Sequence, residues 1–245
     1  MNPIIVIPAR MESQRLPDKP LADIHGTPMI VHVWRQAMKA KCGPVVVAAS
    51  AEAIAQAVRK AGGKAIVENG SHASGSDRIA ATLAHLDPEE RYDPVINLQG
   101  DMPTLDPALV QAVMEPFTEA YSEVCDISTL AAPLTDPSEL DNSAVVKAVV
   151  SFQEGDDWGK ALYFTRATAP WGEGPYYHHI GLYGYRRAAL KKFVTTPPSP
   201  LEQREKLEQL RALEAGLKII VRRVAQTALG VDTSDDLEKI RSMMA

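Results

Sequence analysis

Short apolar runs rich in β-branched residues alternate with segments of helical periodicity along the first half of the chain. The apolar runs predict strands at residues 4–7, 45–49, 64–67 and 95–98, and the periodic segments predict helices at residues 28–41, 52–60, 76–86 and 107–115. Asp106 is expected to cap the last of these helices, with Pro107 at its first position. Apolar strands separated by helices are typical of a parallel sheet that is covered on both faces.

The second half of the chain has a more mixed pattern. It predicts strands at residues 127–132, 145–151, 180–185 and 218–224, a long helix at 200–215 that ends at Gly216, and a last helix at 234–243 with Ser234 as its N-cap. The whole pattern favours one α/β domain over residues 1–245, with a mostly parallel sheet, helices on both faces and an elaborated C-terminal half. Ligands bind such sheets beyond the carboxyl ends of the strands, so the residues after 7, 67 and 98 are the first candidates.

Charge and composition narrow the possible functions. With 26 basic and 31 acidic residues the formal net charge is −5, which disfavours a general binder of nucleic acid or of anionic membranes. The sequence contains no apolar run near the roughly 18 residues that span a bilayer, and no basic, apolar leader at its start. Cys42 and Cys125 lie far apart, without CxxC or metal-ligand spacing, and are expected to be free buried thiols. These features predict a cytoplasmic protein.

A cationic loop follows the first predicted strand. Arg10, Arg15 and Lys19 lie within ten residues of one another in a chain that is acidic overall. Cations at the carboxyl end of a strand suit a polyphosphate, and they can stabilise the charge that develops on a leaving pyrophosphate. The loop has neither the Walker A pattern nor GxGxxG. A solvated surface loop with ordinary charges is the alternative interpretation.

Two aspartates are candidates for metal binding. Asp101 follows the predicted strand at 95–98, and Gly100 before it would let the backbone approach a ligand closely. A carboxylate there can bind Mg²⁺, although a turn-forming aspartate is the alternative. Asp232 precedes Thr233, Ser234, Asp235 and Asp236 at the start of the last predicted helix. For Asp232 helix capping is the stronger alternative on the sequence alone.

Polar groups elsewhere fit the binding of a base, a phosphate or a sugar acid. Ser74 and Gly75 can present a hydroxyl and an amide at a helix N-terminus, with Arg78 in its first turns, whereas a well-capped helix with Ser76 as the cap is the alternative. Arg166 suits a carboxylate or a phosphate, or else a structural ion pair. The adjacent histidines at 178–179 lack further ligands at zinc spacing.

Seven segments, in order along nearly the whole chain, resemble motifs of the 3-deoxy-manno-octulosonate (Kdo) cytidylyltransferase family. Three of them contain the cationic loop and the two candidate aspartates: PARMESQRLPDKPL at 8–21, NLQGDMP at 97–103 and GVDTSDDL at 230–237. The other four are HASGSDR at 72–78, YFTRATAPW at 163–171, HIGLYGY at 179–185 and LEQREKLEQLR at 201–211. The chain departs from the family's usual residues at Asp18, where Gly is common, and at Met102, where Glu is common.

This resemblance implies a nucleotidyltransferase-type, Rossmann-like α/β fold and a definite reaction. CTP and Kdo would give CMP-Kdo and pyrophosphate, which activates the sugar for lipopolysaccharide synthesis. A sugar acid such as 8-amino-Kdo or sialic acid is the alternative substrate. A CTP-binding regulator without turnover is a rival of another class, and a NAD-binding protein is disfavoured by the missing GxGxxG. The family's habit also implies a homodimer.

The resemblance assigns roles to individual positions. It implies that Mg²⁺ is bound by Asp101 and Asp232. Catalytic charge and triphosphate contacts fall to Arg10, Arg15 and Lys19, while the remaining nucleotide contacts fall to Ser74, Gly75 and Arg78. The positions expected to bind the sugar are Gln99, Arg166, His179, Tyr183, Glu208 and Gln209.

Overall fold

The computed structural model describes residues 1–13, 15–118, 121–225 and 227–245. Its strands are β1 (Ile4–Ala9), β2 (Asp23–Ile24), β3 (Thr27–Pro28), β4 (Val45–Ala49), β5 (Lys64–Val67), β6 (Val95–Asn97), β7 (Ile127–Pro133), β8 (Lys147–Phe152), β9 (Trp158–Thr165), β10 (Tyr177–Tyr185) and β11 (Ile219–Arg223). Its α-helices are α1 (Met29–Ala40), α2 (Glu52–Lys60), α3 (Gly75–Leu86), α4 (Pro107–Ala112), α5 (Arg187–Thr195), α6 (Pro200–Glu205), α7 (Gln209–Glu214) and α8 (Ser234–Met243).

The chain divides into two compact units. Unit 1 consists of Met1–Gln111 and Ala228–Ala245, and unit 2 consists of Ala112–Thr227. The single domain expected over residues 1–245 stays a prediction.

Unit 1 contains a parallel sheet in the order β5, β4, β1, β6. Ile5 of β1 lies opposite Val45 on one side and Ile96 on the other, and all three side chains are buried. The fully apolar strands predicted from the sequence are therefore those of a sheet that is covered on both sides. Because the strands are parallel, their carboxyl ends meet at one edge, where most of the predicted nucleotide and metal residues follow.

Unit 2 contains a mixed sheet in the order β10, β7, β11, β9, β8. β7 and β11 are parallel, whereas β10 with β7, β11 with β9, and β9 with β8 are antiparallel. The predicted α/β class, with a parallel first half and an elaborated C-terminal half, is confirmed.

Two parts of the second half were predicted wrongly or not at all. The single helix expected at 200–215 is instead α6 and α7, because Lys206 takes a left-handed conformation with φ of 57° and ends α6. The carboxylate of Glu205 accepts hydrogen bonds from Thr165 Oγ1 and Arg166 N, and its carbonyl accepts one from Arg166 Nε. These tertiary contacts override a local sequence that favours one helix. Strand β9 and helix α5 were not predicted.

The N-terminal caps of three helices can be compared with the residues that were predicted to cap them. Asp106 Oδ1 accepts a hydrogen bond from Ala108 N at 2.9 Å, as predicted for α4. The N-cap of α3 is Ser74 rather than Ser76, and the N-cap of α8 is Thr233 rather than Ser234. In both cases the hydroxyl residue that caps stands three positions before an aspartate, which completes a capping box with the backbone.

We expect Thr233→Ala to lower the free energy of unfolding by about 1 kcal/mol, because it removes the cap of α8. The urea midpoint should fall while the slope of the transition stays constant. Ser234→Ala is the matched control, since Ser234 is exposed and lies outside the capping box. An equal loss in the two variants would contradict the assignment of the cap.

The remaining sequence expectations for the chain as a whole concern thiols and membranes. Cys42 and Cys125 are free, as predicted, but only Cys125 is buried, and its burial raises the pKa of the thiol to about 12. In the described ranges no helix combines the length and the apolarity that crossing a bilayer requires.

Candidate active site

Lys19 lies at the centre of a cluster of charges in unit 1. Its Nζ is 2.7 Å from Asp101 Oδ2, 3.2 Å from Asp232 Oδ1 and 2.9 Å from the carbonyl oxygen of Val231. Arg15 Nη2 lies 3.0 Å from the other carboxylate oxygen of Asp232. The structure thus brings together two of the predicted cations and both predicted metal ligands.

The backbone before Lys19 explains one departure from the family motif. Lys19 begins a short 3₁₀ turn, and Asp18 before it has φ of 53° and ψ of 28°, in the left-handed region. Glycine reaches that region without steric cost, which accounts for the family's usual residue, and aspartate is one of the few others that tolerate it. The substitution therefore keeps the turn that presents Lys19.

Two segments of unit 1 approach Pro8, near the end of β1, and a third segment is attached to one of them. A Cβ on Gly100 would lie 2.9 Å from the carbonyl oxygen of Pro8, and one on Gly75 would lie 3.2 Å from its Cγ. Glycine at these positions lets the turn after β6 and the start of α3 approach closely. Val231 N donates to the carbonyl oxygen of Asp101 at 2.9 Å, which fixes the segment that carries Asp232 beside that turn.

The capping alternative for Asp232 is wrong. Thr233 caps α8, and the Asp236 carboxylate accepts hydrogen bonds from Asp232 N at 3.0 Å, Thr233 N at 2.9 Å and Thr233 Oγ1 at 2.8 Å. Partial burial opposes ionisation of Asp236, but these hydrogen bonds outweigh it and lower the pKa of that carboxyl. The carboxylate of Asp232 itself contacts Lys19 and Arg15 instead.

The donor set at Asp101 and Asp232 fits a magnesium ion that is shared with a substrate. Both carboxylates lie within hydrogen-bond reach of one ammonium, so one small cation can contact both. Their side chains are 27% and 50% exposed, which leaves room for phosphate and water oxygens. The described residues include no group of three or more His, Cys, Asp or Glu that could hold a metal by themselves. Met102, at the family's Glu position, is buried.

The other predicted nucleotide residues already have structural partners or lie at the surface. Arg10 is exposed, directly after β1. Ser74 Oγ accepts from Asp77 N at 3.2 Å and donates to Asp77 Oδ2 at 3.0 Å. Arg78 is buried and donates to the carbonyl oxygen of Glu68 at 2.6 Å, and burial lowers its pKa. Helix α3 is therefore well capped, with Ser74 rather than Ser76 as the cap, and nucleotide binding by these residues stays a prediction.

Two of the predicted sugar-binding residues form an aromatic pair in unit 2. The rings of His179 and Tyr183 on β10 have centroids 5.5 Å apart, and both residues are buried. Burial, with a smaller contribution from His178, lowers the pKa of His179 to about 3, so its ring is neutral near neutral pH. Burial raises the pKa of Tyr183 well above its ordinary value, so its phenol stays protonated.

Arg166 is held by backbone carbonyl groups. Its Nε donates to Glu205 O at 2.9 Å and its Nη1 to Ser143 O at 2.8 Å. The turn that contains Ser143 also accepts hydrogen bonds from the wholly buried Lys147, whose Nζ donates to the carbonyl oxygens of Asn142 and Val145 at 3.0 and 2.8 Å. Arg166 therefore stabilises a turn of unit 2, and its contact with a sugar carboxylate stays a prediction.

The last three sugar candidates occupy different positions. Gln99 follows β6 in unit 1, where its Nε2 donates to Asn97 Oδ1 at 3.1 Å. Gln209 begins α7 and is buried. Glu208 Oε1 lies 3.4 Å from Arg211 Nη2. The described contacts do not decide their roles toward a sugar, which stay predictions.

One residue beside the predicted site was missed. Thr129 on β7 is fully buried, and its Oγ1 lies 3.0 Å from His179 Nε2. The available signal was weak, because Ser128 and Thr129 are polar residues inside an otherwise apolar strand. Threonine is common in strands, and the identity of its partner cannot be read from the sequence.

Comparison with known proteins finds cytidylyltransferases that match almost the whole chain. A family model described as cytidylyltransferase matches residues 4–219. A 3-deoxy-manno-octulosonate cytidylyltransferase from Parvibaculum lavamentivorans is 60% identical over 244 residues, covering 100% of this chain and 93% of the relative. One from Rhodospirillum centenum is 56% identical over 243 residues, covering 99% and 93%.

Two solved structures are similar to this fold. A structure of CMP:2-keto-3-deoxy-manno-octonic acid synthetase complexed with CTP has a TM-score of 0.90 and 38% identity, and the match covers 100% of this chain and 98% of the other. A cytidylyltransferase from Leptospira borgpetersenii has a TM-score of 0.63 and 16% identity, with coverage of 99% and 86%. The second likeness concerns the fold alone.

Proposed function

Because the chain belongs to the 3-deoxy-manno-octulosonate cytidylyltransferase family, we propose that it transfers CMP from CTP to Kdo and releases pyrophosphate. The observation that carries the proposal is the cluster in which Lys19 contacts both Asp101 and Asp232, with Arg15 beside them. A cationic loop against two carboxylates is what a metal-assisted reaction at a nucleoside triphosphate requires.

The reaction exchanges one phosphorus–oxygen bond for another. The anomeric hydroxyl oxygen of the sugar acid attacks the α-phosphorus in line and loses its proton. The bond from the α-phosphorus to the oxygen that bridges it to the β-phosphorus breaks, and pyrophosphate leaves with that oxygen. The protein takes little part in making and breaking these bonds, so its contribution is to position the reactants and to stabilise charge.

The cationic loop supplies charge for the leaving group. Arg10 and Arg15 are exposed and can reach a triphosphate from solvent. The side chain of Lys19 is only 16% exposed, and hydrogen bonds hold its ammonium beside Asp101 and Asp232 when no ligand is bound. From there the ammonium can turn onto the phosphates and stabilise the charge that develops on the leaving group.

Asp101 and Asp232 are the residues that we propose to hold Mg²⁺. When bound, the ion would neutralise charge on the phosphate and lower the pKa of the attacking hydroxyl. Both carboxylates are accessible and separate from the capping box of α8. Their substitution has one of the largest effects that we expect.

For the sugar we propose contacts from Gln99, Arg166, His179, Tyr183, Glu208 and Gln209. The neutral ring of His179 and the protonated phenol of Tyr183 suit hydroxyl groups rather than a charged group. The sugar carboxylate requires a cation, and Arg166 is the candidate within this set.

The setting of the reaction is part of the proposal. We propose a cytoplasmic homodimer whose product is the donor for lipopolysaccharide synthesis. Free thiols at Cys42 and Cys125 are compatible with a reducing compartment. Trp171 is 100% exposed and Leu162 is 56% exposed, so both apolar side chains are accessible to a second copy.

Pyrophosphate release tests the function directly. The purified full chain is incubated with Mg²⁺, with each of the four nucleoside triphosphates in turn, and with Kdo, 8-amino-Kdo or sialic acid. We expect release with CTP and Kdo, and its loss on addition of EDTA. Release with CTP and another sugar acid alone would keep the nucleotide half and overturn the choice of sugar. Absence of release from folded protein with every pair would overturn the proposed function.

A further inference from the structure

A β-bulge lies beside the two aromatic residues of the proposed sugar site. Along β10 and β7, Ile180 pairs with Leu130 but Tyr183 pairs with Thr129, so residues 181 and 182 are extra in the β10 strand. Such a bulge interrupts the ladder and leaves carbonyl groups that need other donors. Thr129 Oγ1 lies 3.1 Å from the carbonyl oxygen of Ile180 and 2.9 Å from that of Leu182.

The hydroxyl of Thr129 has only one proton to give. A threonine hydroxyl donates once and accepts through two lone pairs, whereas a carbonyl oxygen only accepts. Two carbonyl oxygens and His179 Nε2, which is 3.0 Å away, all face this one Oγ1. If the proton pointed at Nε2, both carbonyl oxygens would face hydroxyl lone pairs at a fully buried position, which is costly.

The opposite arrangement leaves only one of the two carbonyl oxygens, rather than both, without a proton from Thr129. The Thr129 proton goes to a carbonyl oxygen of the bulge, and Nε2 carries a proton that it donates to Oγ1. Because burial keeps the His179 ring neutral, its other nitrogen, Nδ1, is then unprotonated. Phe164 packs edge-on against the ring, with centroids 4.8 Å apart, which further restricts its orientation.

We propose that Thr129 is a positioning residue that fixes His179 as the Nε2–H tautomer, so that Nδ1 is reserved as a hydrogen-bond acceptor for a hydroxyl group of the sugar acid. The tautomer rests on the contacts within unit 2, and only the identity of the ligand rests on the proposed function. An acceptor reserved in this way selects for a donor, so a sugar analogue without the contacted hydroxyl is discriminated against.

Nitrogen-15 NMR of the full chain with labelled histidine tests the tautomer without any substrate. His179→Gln identifies the His179 signals by their disappearance. We expect the wild type and Thr129→Ser, which keeps the hydroxyl, to show the Nε2–H form. Thr129→Val should populate the Nδ1–H form, because an Nε2–H group of His179 would no longer have an acceptor. An Nδ1–H ring in the wild type, or identical spectra of the valine and serine variants, would overturn the proposal.

Kinetics test the link to the sugar. Thr129→Val should lower kcat/KM for Kdo by about tenfold or more, the loss expected for one hydrogen bond, with KM for CTP unchanged. Thr129→Ser should restore most of the loss. Thr82→Val is the matched control, because Thr82 is also fully buried and its Oγ1 has no hydrogen-bond partner among the described residues.

The tautomer of His179 and the role of its Nδ1 toward the sugar can be disproved separately. A wild-type protein that releases no pyrophosphate with Kdo overturns the proposed function, while the NMR result still decides the tautomer. A wild-type Nε2–H ring together with unchanged Kdo kinetics in folded Thr129→Val would overturn the role of Nδ1 toward the sugar. An equal kinetic loss in Thr82→Val would reduce the effect of Thr129 to general packing.

Discussion

Asp101→Asn and Asp232→Asn, made separately, are each expected to lower pyrophosphate release by about a hundredfold or more. Each change removes one negative charge and one strong oxygen ligand from a site that offers only two carboxylates, while the side-chain volume is kept. A magnesium site that relies on few protein ligands tolerates the loss of one poorly. Release is measured over a titration of Mg²⁺ with CTP and Kdo at saturation.

The titration separates metal binding from a structural ion pair. If the carboxylates bind the ion, raised Mg²⁺ should recover part of the activity of each variant. If they only hold Lys19, raised Mg²⁺ should change nothing. Asp106→Asn is the matched control, because Asp106 caps α4 and asparagine caps a helix as well as aspartate does. Near-normal release in either site variant would exclude that residue as a metal ligand.

The elements of the first half could be predicted because their patterns are local. The strand expected at 45–49 is β4, the helix expected at 52–60 is α2 and the strand expected at 64–67 is β5, all with the observed bounds. An apolar run of β-branched residues or a helical period of apolar positions is complete within one segment. The carboxyl edge of a parallel sheet then follows from topology, which is why loops could be chosen as candidate sites.

What the sequence could not predict depends on contacts between distant residues. Asp101 and Asp232 lie 82 and 213 positions after Lys19, and their meeting at one ammonium is a property of the folded chain. The cap of α8 is a different case, because the three-residue spacing from Thr233 to Asp236 is local and could have been read from the sequence. The break at Lys206 depends on hydrogen bonds that Glu205 makes with Thr165, the last residue of β9, and with Arg166 after it.

Lys19→Met is expected to bind Mn²⁺ more tightly than the wild type when no nucleotide is present, and yet to lose turnover. In the absence of ligands the Lys19 ammonium contacts both carboxylates that are proposed to hold the metal, so it competes with a divalent cation for them. Removing it should raise affinity by about three- to tenfold, since these partly exposed ion pairs are screened by solvent. Turnover should fall by about a hundredfold to a thousandfold, because the Lys19 ammonium no longer stabilises the charge on the leaving group.

Electron paramagnetic resonance of free Mn²⁺ measures this affinity without turnover, and Lys39→Met, an exposed position on α1, is the matched control. With CTP present the order should reverse, because a lysine drawn onto the phosphates releases the carboxylates while Met cannot make that contact. Nucleotide and metal would then each favour the binding of the other through one side chain, since coupling between two ligands is reciprocal.

Weaker Mn²⁺ binding by Lys19→Met without nucleotide would place the ammonium outside the metal position. Tighter binding with normal turnover would leave Lys19 as a competitor of the metal and remove it from the chemistry.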